Sequence, residues 1–129
     1  MAPSSPERSC NFALLGTTGY EDALELQNRI AEARRDNRIE DTLLLLEHPP
    51  LITIGRSGSF KNILASREIL EKDGIRVHMV DRGGDVTYHG PGQLIGYPIM
   101  NLANYGKDLH SYVYRIEQSI VELLKQEYA

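Results

Sequence analysis

The residue types with the widest chemical capacity are concentrated in one segment, residues 82–94 (RGGDVTYHGPGQL). Gly83 and Gly84 allow positive φ and let a ligand approach the backbone, because no Cβ is in the way. Free backbone N–H groups in such a loop can hold a carbonyl, carboxylate or phosphate oxygen. Tyr88 offers an apolar ring with a polar tip, and His89 can donate, accept or transfer a proton near neutral pH. Two more side chains in the segment can orient a ligand by hydrogen bonding: Thr87 and Gln93.

The same segment also has a purely structural interpretation, since glycine-rich turns are common and a histidine and a tyrosine can be satisfied in a core. Two nucleotide-binding loops are excluded: no Gly-Lys-Ser/Thr follows at Walker A spacing, and no G-x-G-x-x-G is present. One Arg-Gly-Gly does not make an RNA-binding repeat, particularly in an acidic chain. The residues alone leave a ligand-binding loop and a structural turn both open.

Hydrophobic patterning predicts the elements that position this segment. Residues 42–47 (TLLLLE) form a near-continuous apolar run, typical of a strand that is covered on both faces. His48 and the two prolines after it interrupt that run, because proline cannot donate to a ladder. Residues 75–80 alternate between apolar and polar, as a half-buried strand does. The predicted strands are 11–16, 42–47, 51–54, 75–80 and 97–100, and residues 82–96 are expected to be an ordered loop.

Three helices are predicted from apolar spacing and from capping signals. The first covers residues 19–35, with Thr18 as its N-cap and Glu21 completing a capping box. The second covers residues 66–73, with Gly74 placed for its C-terminal cap. The third begins after Asp108 and presents an apolar stripe up to two turns before the last residue, with no stop signal. Because such a stripe needs a cover, either other elements of this chain cover it or a C-terminal part is missing, and we expect the second.

Composition limits the class of protein. The 129 residues carry a formal net charge of −4, which excludes a broad basic surface for nucleic acid. Cys10 is the single cysteine, so disulfide frameworks and cysteine-based zinc sites are excluded, and four scattered histidines predict no metal site. No secretory signal or membrane-length apolar run is present. We therefore predict a disordered tail over 1–10, a single α+β domain over 11–129, and a cytoplasmic or organelle-matrix location.

Residues 82–98 (RGGDVTYHGPGQLIGYP) strongly resemble the signature of the octanoyltransferases of lipoate biosynthesis. Residues 45–56 (LLEHPPLITIGR) resemble a second stretch of that family, and residues 19–27 (GYEDALELQ) do so more weakly. The resemblance implies a biotin/lipoate-protein ligase-like fold, a mixed sheet with flanking helices and an acyl tunnel, incomplete here at the C-terminus. It also implies a substrate-binding set: Arg82, Gly83, Gly84, Asp85, Val86, Thr87, Tyr88 and His89.

The resemblance further implies transfer of octanoyl from acyl carrier protein to a lysine of lipoyl domains, those of 2-oxoacid dehydrogenases and the glycine cleavage H protein. In this family a cysteine forms an acyl-thioester and a lysine lowers its pKa, with no ATP, metal or other cofactor. Those two residues belong to a later segment that this chain is expected to lack. Cys10 is predicted to lie in the frayed tail with a thiol pKa near the free value of about 8.5, so no catalytic residue is assigned.

Two other functions stay open at this point. An ATP-dependent lipoate ligase shares the fold, although the Gly-Pro-Gly-Gln after His89 favours the transferase. A non-catalytic module that binds acyl carrier protein or lipoyl domains is the second alternative, because both catalytic residues are absent. Further candidate pocket residues, each with a structural alternative, are His48 (core or cap), Arg56 (surface), Tyr20 (core packing) and Asp85 (solvated).

Overall fold

The computed structural model describes residues 8–128. It contains six strands, here β1 (Cys10–Thr17), β2 (Asp41–Glu47), β3 (Leu51–Ile54), β4 (Arg76–Met79), β5 (Val86–His89) and β6 (Ile95–Ile99). It contains three α-helices, α1 (Tyr20–Arg35), α2 (Arg67–Lys72) and α3 (Leu109–Tyr128). Short 3-10 helices cover Phe60–Asn62 and Leu102–Tyr105. The predicted α+β class is confirmed, but the strands form two three-stranded mixed sheets rather than one.

The first sheet has the order β1-β2-β6, with β2 parallel to β1 and antiparallel to β6. The leucine run of β2 lies in the middle because a central strand has neighbours on both edges and is shielded on its faces. Leu44 and Leu46 are each only 2% exposed. Helix α1 packs near β6 and buries Ala23 completely.

The second sheet has the order β4-β3-β5, with β3 parallel to β4 and antiparallel to β5. The segment from His48 to Pro50 separates β2 from β3, so consecutive strands belong to different sheets. In the register of this sheet, Thr53 lies opposite both His78 of β4 and Thr87 of β5. This pairing brings the signature segment beside a buried strand.

The prediction of an ordered loop over 82–96 was wrong, because that segment contains β5 and the start of β6. Gly84 and Gly90 flank β5 with only five residues between them, so no alternating pattern was long enough to predict a strand. The antiparallel pairing with the apolar β3 supplies the backbone hydrogen bonds that make this segment a strand. The local sequence pattern does not predict that pairing.

The capping predictions had two outcomes. Asp108 accepts a hydrogen bond from the His110 N–H at 3.0 Å at the start of α3, and Gly74 has φ +67 after α2, as predicted. Ser66 was expected inside the second helix, but it precedes α2 and caps it by accepting from the Ile69 N–H. The capping box at Thr18 was wrong, because α1 begins after Gly19 with no side-chain cap. The Thr18 hydroxyl instead donates to the Leu15 carbonyl, 3.2 Å away.

The N-terminal prediction needs one correction. Residues 1–7 of the predicted tail lie outside the described residues, as does residue 129. Cys10, however, is the first residue of β1 and pairs with Asp41 rather than lying in a frayed tail. Burial, and then the nearby Asp41 carboxylate, raise the pKa of its thiol above the free value. The boundaries of one domain over 11–129 stay a prediction.

The apolar stripe predicted for the last helix is present and uncovered. Leu109, Ile120 and Leu123 of α3 are all more than half exposed, and no residue of this helix is buried. Within residues 8–128, none of the helices combines the length and apolar character that crossing a bilayer requires.

Candidate acyl-binding cleft

A cleft of about 450 Å³ opens between the two sheets. Helix α1 and β6 form one side, and the second sheet together with residues 80–82 forms the other. Its apolar wall includes Leu24, Val80 and Ile95. Its polar wall includes Thr53, Arg82, His89 and Tyr97. Ligand sites in proteins commonly measure roughly 300–1,000 Å³ and combine an apolar lining with a few convergent polar groups, which describes this cleft.

Arg82 organises the polar wall. Its Nη2 lies 2.8 Å from the Thr53 hydroxyl, 3.0 Å from the Thr87 hydroxyl and 3.1 Å from the carbonyls of Thr53 and Asp85. Its Nη1 donates to the Gly83 carbonyl at 2.8 Å. All these acceptors are neutral, and within residues 8–128 no carboxylate forms an ion pair with this guanidinium. The positive charge is therefore held in place without being neutralised.

Strand periodicity divides the signature into two faces. Successive side chains of β5 point to opposite sides of the sheet, so Thr87 and His89 share a face with Thr53. His89 lines the cleft, and its Nε2 lies 3.4 Å from the Thr53 hydroxyl. Val86 and Tyr88 belong to the other face, and Tyr88 is 54% exposed. The fold thus gathers Arg82, Thr87 and His89 and separates Tyr88 from them.

The glycine turn of the signature packs against the end of β3. Gly55 donates to the Asp85 carbonyl at 2.8 Å, and a Cβ on Gly55 would collide with the Gly84 carbonyl. Gly84 has φ +90, a conformation that favours glycine. Asp85 is exposed, as expected, but its carboxylate also accepts two hydrogen bonds from the Asn62 amide at 2.7 and 2.9 Å. Gly83 is exposed, with open space where a Cβ would lie.

Two contributors to this site were missed by sequence reasoning. Thr53 joins Arg82 to His89, and Gly55 leaves room for the turn, but Thr53 lies in β3 and Gly55 directly follows it, away from the signature in the sequence. The polar Thr53 inside the apolar run of β3 was the available signal, since a polar residue within such a strand needs a partner. It is only 2% exposed.

His48 is a core residue and not a wall of the cleft. It is fully buried; its Nδ1 lies 2.7 Å from the Thr18 carbonyl and its Nε2 lies 2.8 Å from the Tyr97 hydroxyl. A carbonyl can only accept, so Nδ1 carries a proton; in the neutral ring Nε2 then accepts from the Tyr97 hydroxyl. His48 therefore fixes the Tyr97 hydroxyl, and burial raises the pKa of that phenol.

Tyr20 meets both of its predicted descriptions. It lines the cleft, and its ring packs against His48 and His78 at centroid distances of 5.6 and 5.0 Å. Burial raises its pKa, although the nearby Arg82 charge acts in the opposite direction. Arg56 follows its surface alternative, because its side chain is 71% exposed and lies 3.4 Å from the exposed Asp81 carboxylate.

A larger cavity, about 730 Å³, lies beside α2 and β4. It contains none of residues 82–89, and its charged residues, such as Arg67 and Arg76, are exposed. The smaller cleft is the better candidate site because the buried Thr53 and the signature residues converge there. In the part of the chain that the structure describes, no three His, Cys, Asp or Glu side chains are grouped to hold a metal ion.

Comparison with known proteins identifies the class of this chain. Residues 19–128 match the family model of the lipoyl protein ligase A/B catalytic domain. The chain therefore belongs to that family. This confirms the predicted fold family and covers all the signature residues.

Individual relatives sharpen that assignment. The chain is 54% identical over 118 residues to the octanoyltransferase of Caldicellulosiruptor saccharolyticus. The matched region covers 92% of this chain and 50% of that protein. It is 46% identical over 116 residues to the octanoyltransferase of Desulforamulus reducens, at 90% and 51% coverage. The predicted resemblance to octanoyltransferases is thus confirmed, and the chain spans about half the length of these curated relatives.

A solved structure supports the fold. The crystal structure of P. falciparum LipL1 in complex with lipoate superposes with a TM-score of 0.55 and 21% identity. The match covers 68% of this chain and 29% of that one. At this identity the similarity concerns the fold alone.

Proposed function

We propose that this chain forms the acyl-binding part of an octanoyltransferase. The activity is transfer of an octanoyl group from acyl carrier protein to a lysine side chain of a lipoyl domain. The observation that carries the proposal is the cleft between the sheets, where an apolar wall ends at the cluster of Arg82, Thr53, Thr87 and His89. High identity to named octanoyltransferases supports the choice of acyl group.

The wall residues divide the work of binding. Leu24, Val80 and Ile95 provide apolar surface for a hydrocarbon chain, and burial of each CH₂ group contributes about 0.8 kcal/mol. At the polar end, Arg82 keeps an unneutralised charge beside the cleft, which favours an oxygen atom that gains negative charge during acyl transfer. Its hydrogen bonds to Thr53 and Thr87 hold the guanidinium in position before substrate arrives.

All eight residues of the predicted substrate-binding set belong to this proposal, with unequal roles. Arg82, Thr87 and His89 form the face toward the acyl group, and the turn at Gly83 and Gly84 offers its backbone to the thioester. Three members support the turn or the outer face of the strand: Asp85, Val86 and Tyr88.

The proposed partners follow from the activity. The donor is octanoyl-acyl carrier protein, and the acceptors are lipoyl domains of 2-oxoacid dehydrogenases and the H protein of glycine cleavage. The proposed compartment is the cytoplasm, or the mitochondrial matrix in a eukaryotic cell. A thioester donor and an amide product make the transfer downhill, so the proposal includes no ATP and no metal.

Binding without turnover is the second candidate, and the position of Cys10 favours it. A thiolate nucleophile must reach the acyl carbon. Cys10 lies at the start of β1, lines no part of the cleft, and has a raised thiol pKa. The chain by itself is therefore expected to bind an octanoyl thioester without becoming acylated.

Calorimetric titration with octanoyl-pantetheine, and with pantetheine as the reference ligand, tests the proposal. The octanoyl compound should bind more tightly than pantetheine. Leu24→Trp, which fills the cleft from a 41% exposed position, should weaken octanoyl-pantetheine binding by about tenfold. Leu123→Trp makes the same change on exposed α3 and should leave the affinity unchanged.

Equal binding of the two ligands, or an unaffected Leu24→Trp variant, would contradict an acyl site in this cleft. Mass spectrometry of the titrated protein tests whether binding occurs without acylation, because a gain of one octanoyl group would show acyl transfer to the chain. Formation of an octanoyl-adenylate with octanoate and ATP would instead identify a ligase.

A further inference from the structure

The hydrogen bonds around Thr53 have a fixed direction. An arginine can only donate, so the Thr53 oxygen accepts from Arg82 and its own hydroxyl proton needs another acceptor. Thr53 is 2% exposed, so water does not readily serve. In the described part of the chain, the remaining partner of this hydroxyl is Nε2 of His89, 3.4 Å away. In the neutral ring, a lone pair on that nitrogen would accept this proton.

The other ring nitrogen of His89 leads to the same tautomer. Its Nδ1 lies 2.8 Å from Oε1 of Gln93, and an amide oxygen can only accept. The proton is therefore on Nδ1. The two contacts are independent, since one involves a hydroxyl of β3 and the other an amide beyond β5.

The Gly-Pro-Gly-Gln string explains how Gln93 reaches back to His89. The Gln93 N–H donates to the Gly90 carbonyl at 3.1 Å, and Gly92 has φ +89. Proline at the second position and a glycine with positive φ at the third define a type II turn. The Gly92 N–H also donates to the Glu47 carboxylate at 2.9 Å, which ties the turn to the end of β2. The turn thus directs Gln93 onto the ring.

We propose that Gln93 and Thr53 are positioning residues that hold neutral His89 as its Nδ1–H tautomer, so that Nε2 offers a lone pair to the cleft. The contact with Thr53 is long at 3.4 Å, so Nε2 can also accept from a ligand N–H in the cleft. A ring in this state accepts hydrogen bonds, so it does not bind an acyl carbonyl. On the proposed function, its partner is the amine of the acceptor lysine.

Nitrogen-15 NMR of the histidine rings tests the tautomer with no substrate present, at mildly alkaline pH where imidazole is neutral. The His89 signals, assigned with His89→Asn, should show a protonated Nδ1 and an unprotonated Nε2. Gln93→Ala should lower the Nδ1–H to Nε2–H ratio by about fivefold, the factor that corresponds to one net hydrogen bond. Gln93→Glu restores an acceptor oxygen and should restore the ratio.

Gln27→Ala is the matched control, because Gln27 also lines the cleft but its amide donates to Ala23 of its own helix. That variant should leave the His89 signals unchanged. An Nε2–H ring in the native protein, or a ratio that Gln93→Ala does not move, would overturn the proposal. Because the readout contains no acyl ligand, failure here is distinguishable from failure to bind octanoyl-pantetheine.

Discussion

Two partly buried arginines are held in opposite ways. Arg34 of α1 donates to the Asp41 carboxylate at 2.6 Å, and the two side chains are only 12% and 5% exposed. Asp41 also accepts from the Asn101 N–H and from the Tyr105 hydroxyl, both at 2.9 Å. Arg82 has several acceptors as well, but every one is neutral. The charge of Arg34 is neutralised by the Asp41 carboxylate, whereas the charge of Arg82 is not neutralised by any of its acceptors.

The contrast separates a cluster that stabilises the fold from one that we propose binds a ligand. Burial alone would raise the pKa of Asp41, but the hydrogen bonds from Arg34, Asn101 and Tyr105 outweigh it, so the pKa lies below its usual value. Such a carboxylate is ionised and its oxygens already accept several hydrogen bonds, so it has little remaining capacity to bind a ligand. Arg82 lies beside a cleft with its charge uncompensated, which is the state that a ligand oxygen can use.

Removing the charge of Asp41 should have the largest effect on stability. Asp41→Asn leaves the buried Arg34 guanidinium without a carboxylate and should lower the free energy of unfolding by about 3 kcal/mol. Urea denaturation measures this. Asp36→Asn is the matched control, since its pair with Arg38 is about half exposed and should contribute at most about 0.5 kcal/mol. Similar losses in the two variants would remove the distinction drawn for Asp41.

The pH dependence of unfolding checks the same cluster. The pKa of Asp41 is lower in the folded than in the unfolded state, so its stabilisation is present above the ordinary aspartate pKa. That stabilisation is lost as the pH falls through the lowered value, with a slope of at most about 1.4 kcal/mol per pH unit. Asp41→Asn should therefore flatten the acid limb of the stability curve, and an unchanged limb would contradict the assignment.

Arg82→Lys should have a smaller effect on stability and a distinct effect on binding. Lysine keeps the charge but lacks the planar guanidinium whose Nη2 reaches both threonine hydroxyls while Nη1 reaches the Gly83 carbonyl. We expect a loss of about 1.5 kcal/mol in unfolding free energy and about tenfold weaker octanoyl-pantetheine binding. Denaturation and calorimetry measure the two. If stability falls as much as in Asp41→Asn while binding is unchanged, Arg82 belongs with the structural cluster.

The turn at Gly92 should give the smallest change. Gly92→Ala places a side chain at φ +89 and should cost roughly 1 kcal/mol of stability, although open space surrounds the new Cβ. Gly83→Ala has open space but no positive φ, and its cost should stay within about 0.5 kcal/mol. Thermal or urea denaturation compares them. Equal losses of unfolding free energy in the two variants would show that the positive φ of Gly92 does not determine the turn. The turn conformation would then not explain the position of Gln93.

The parts of the fold that were predicted share a physical feature. In β2, β3 and the three helices, the apolar pattern is long enough to predict the type of element. The structure confirms these five elements. The strand β5 was not predicted because its four residues are identified by pairing with β3. The Thr18 cap was wrong because that residue is engaged by the end of the preceding strand.

The site divides along the same line. The sequence identified residues 82–89 as a chemical segment, but it treated them as one surface, whereas β5 sends Thr87 and His89 to one side and Tyr88 to the other. It left His48 undecided between pocket and core, and only the contacts with Thr18 and Tyr97 placed that ring in the core.

The sequence by itself determined the family, the chemical inventory and the extended or helical state of the longer segments, because these depend on residue types and local periodicity. The tertiary structure decided which side chains meet. Thr53 and His89 are 36 residues apart along the chain, and the antiparallel pairing of β3 with β5 brings them together. The direction of a hydrogen bond depends on both partners, so the tautomer of His89 follows from that pairing and from the turn that returns Gln93.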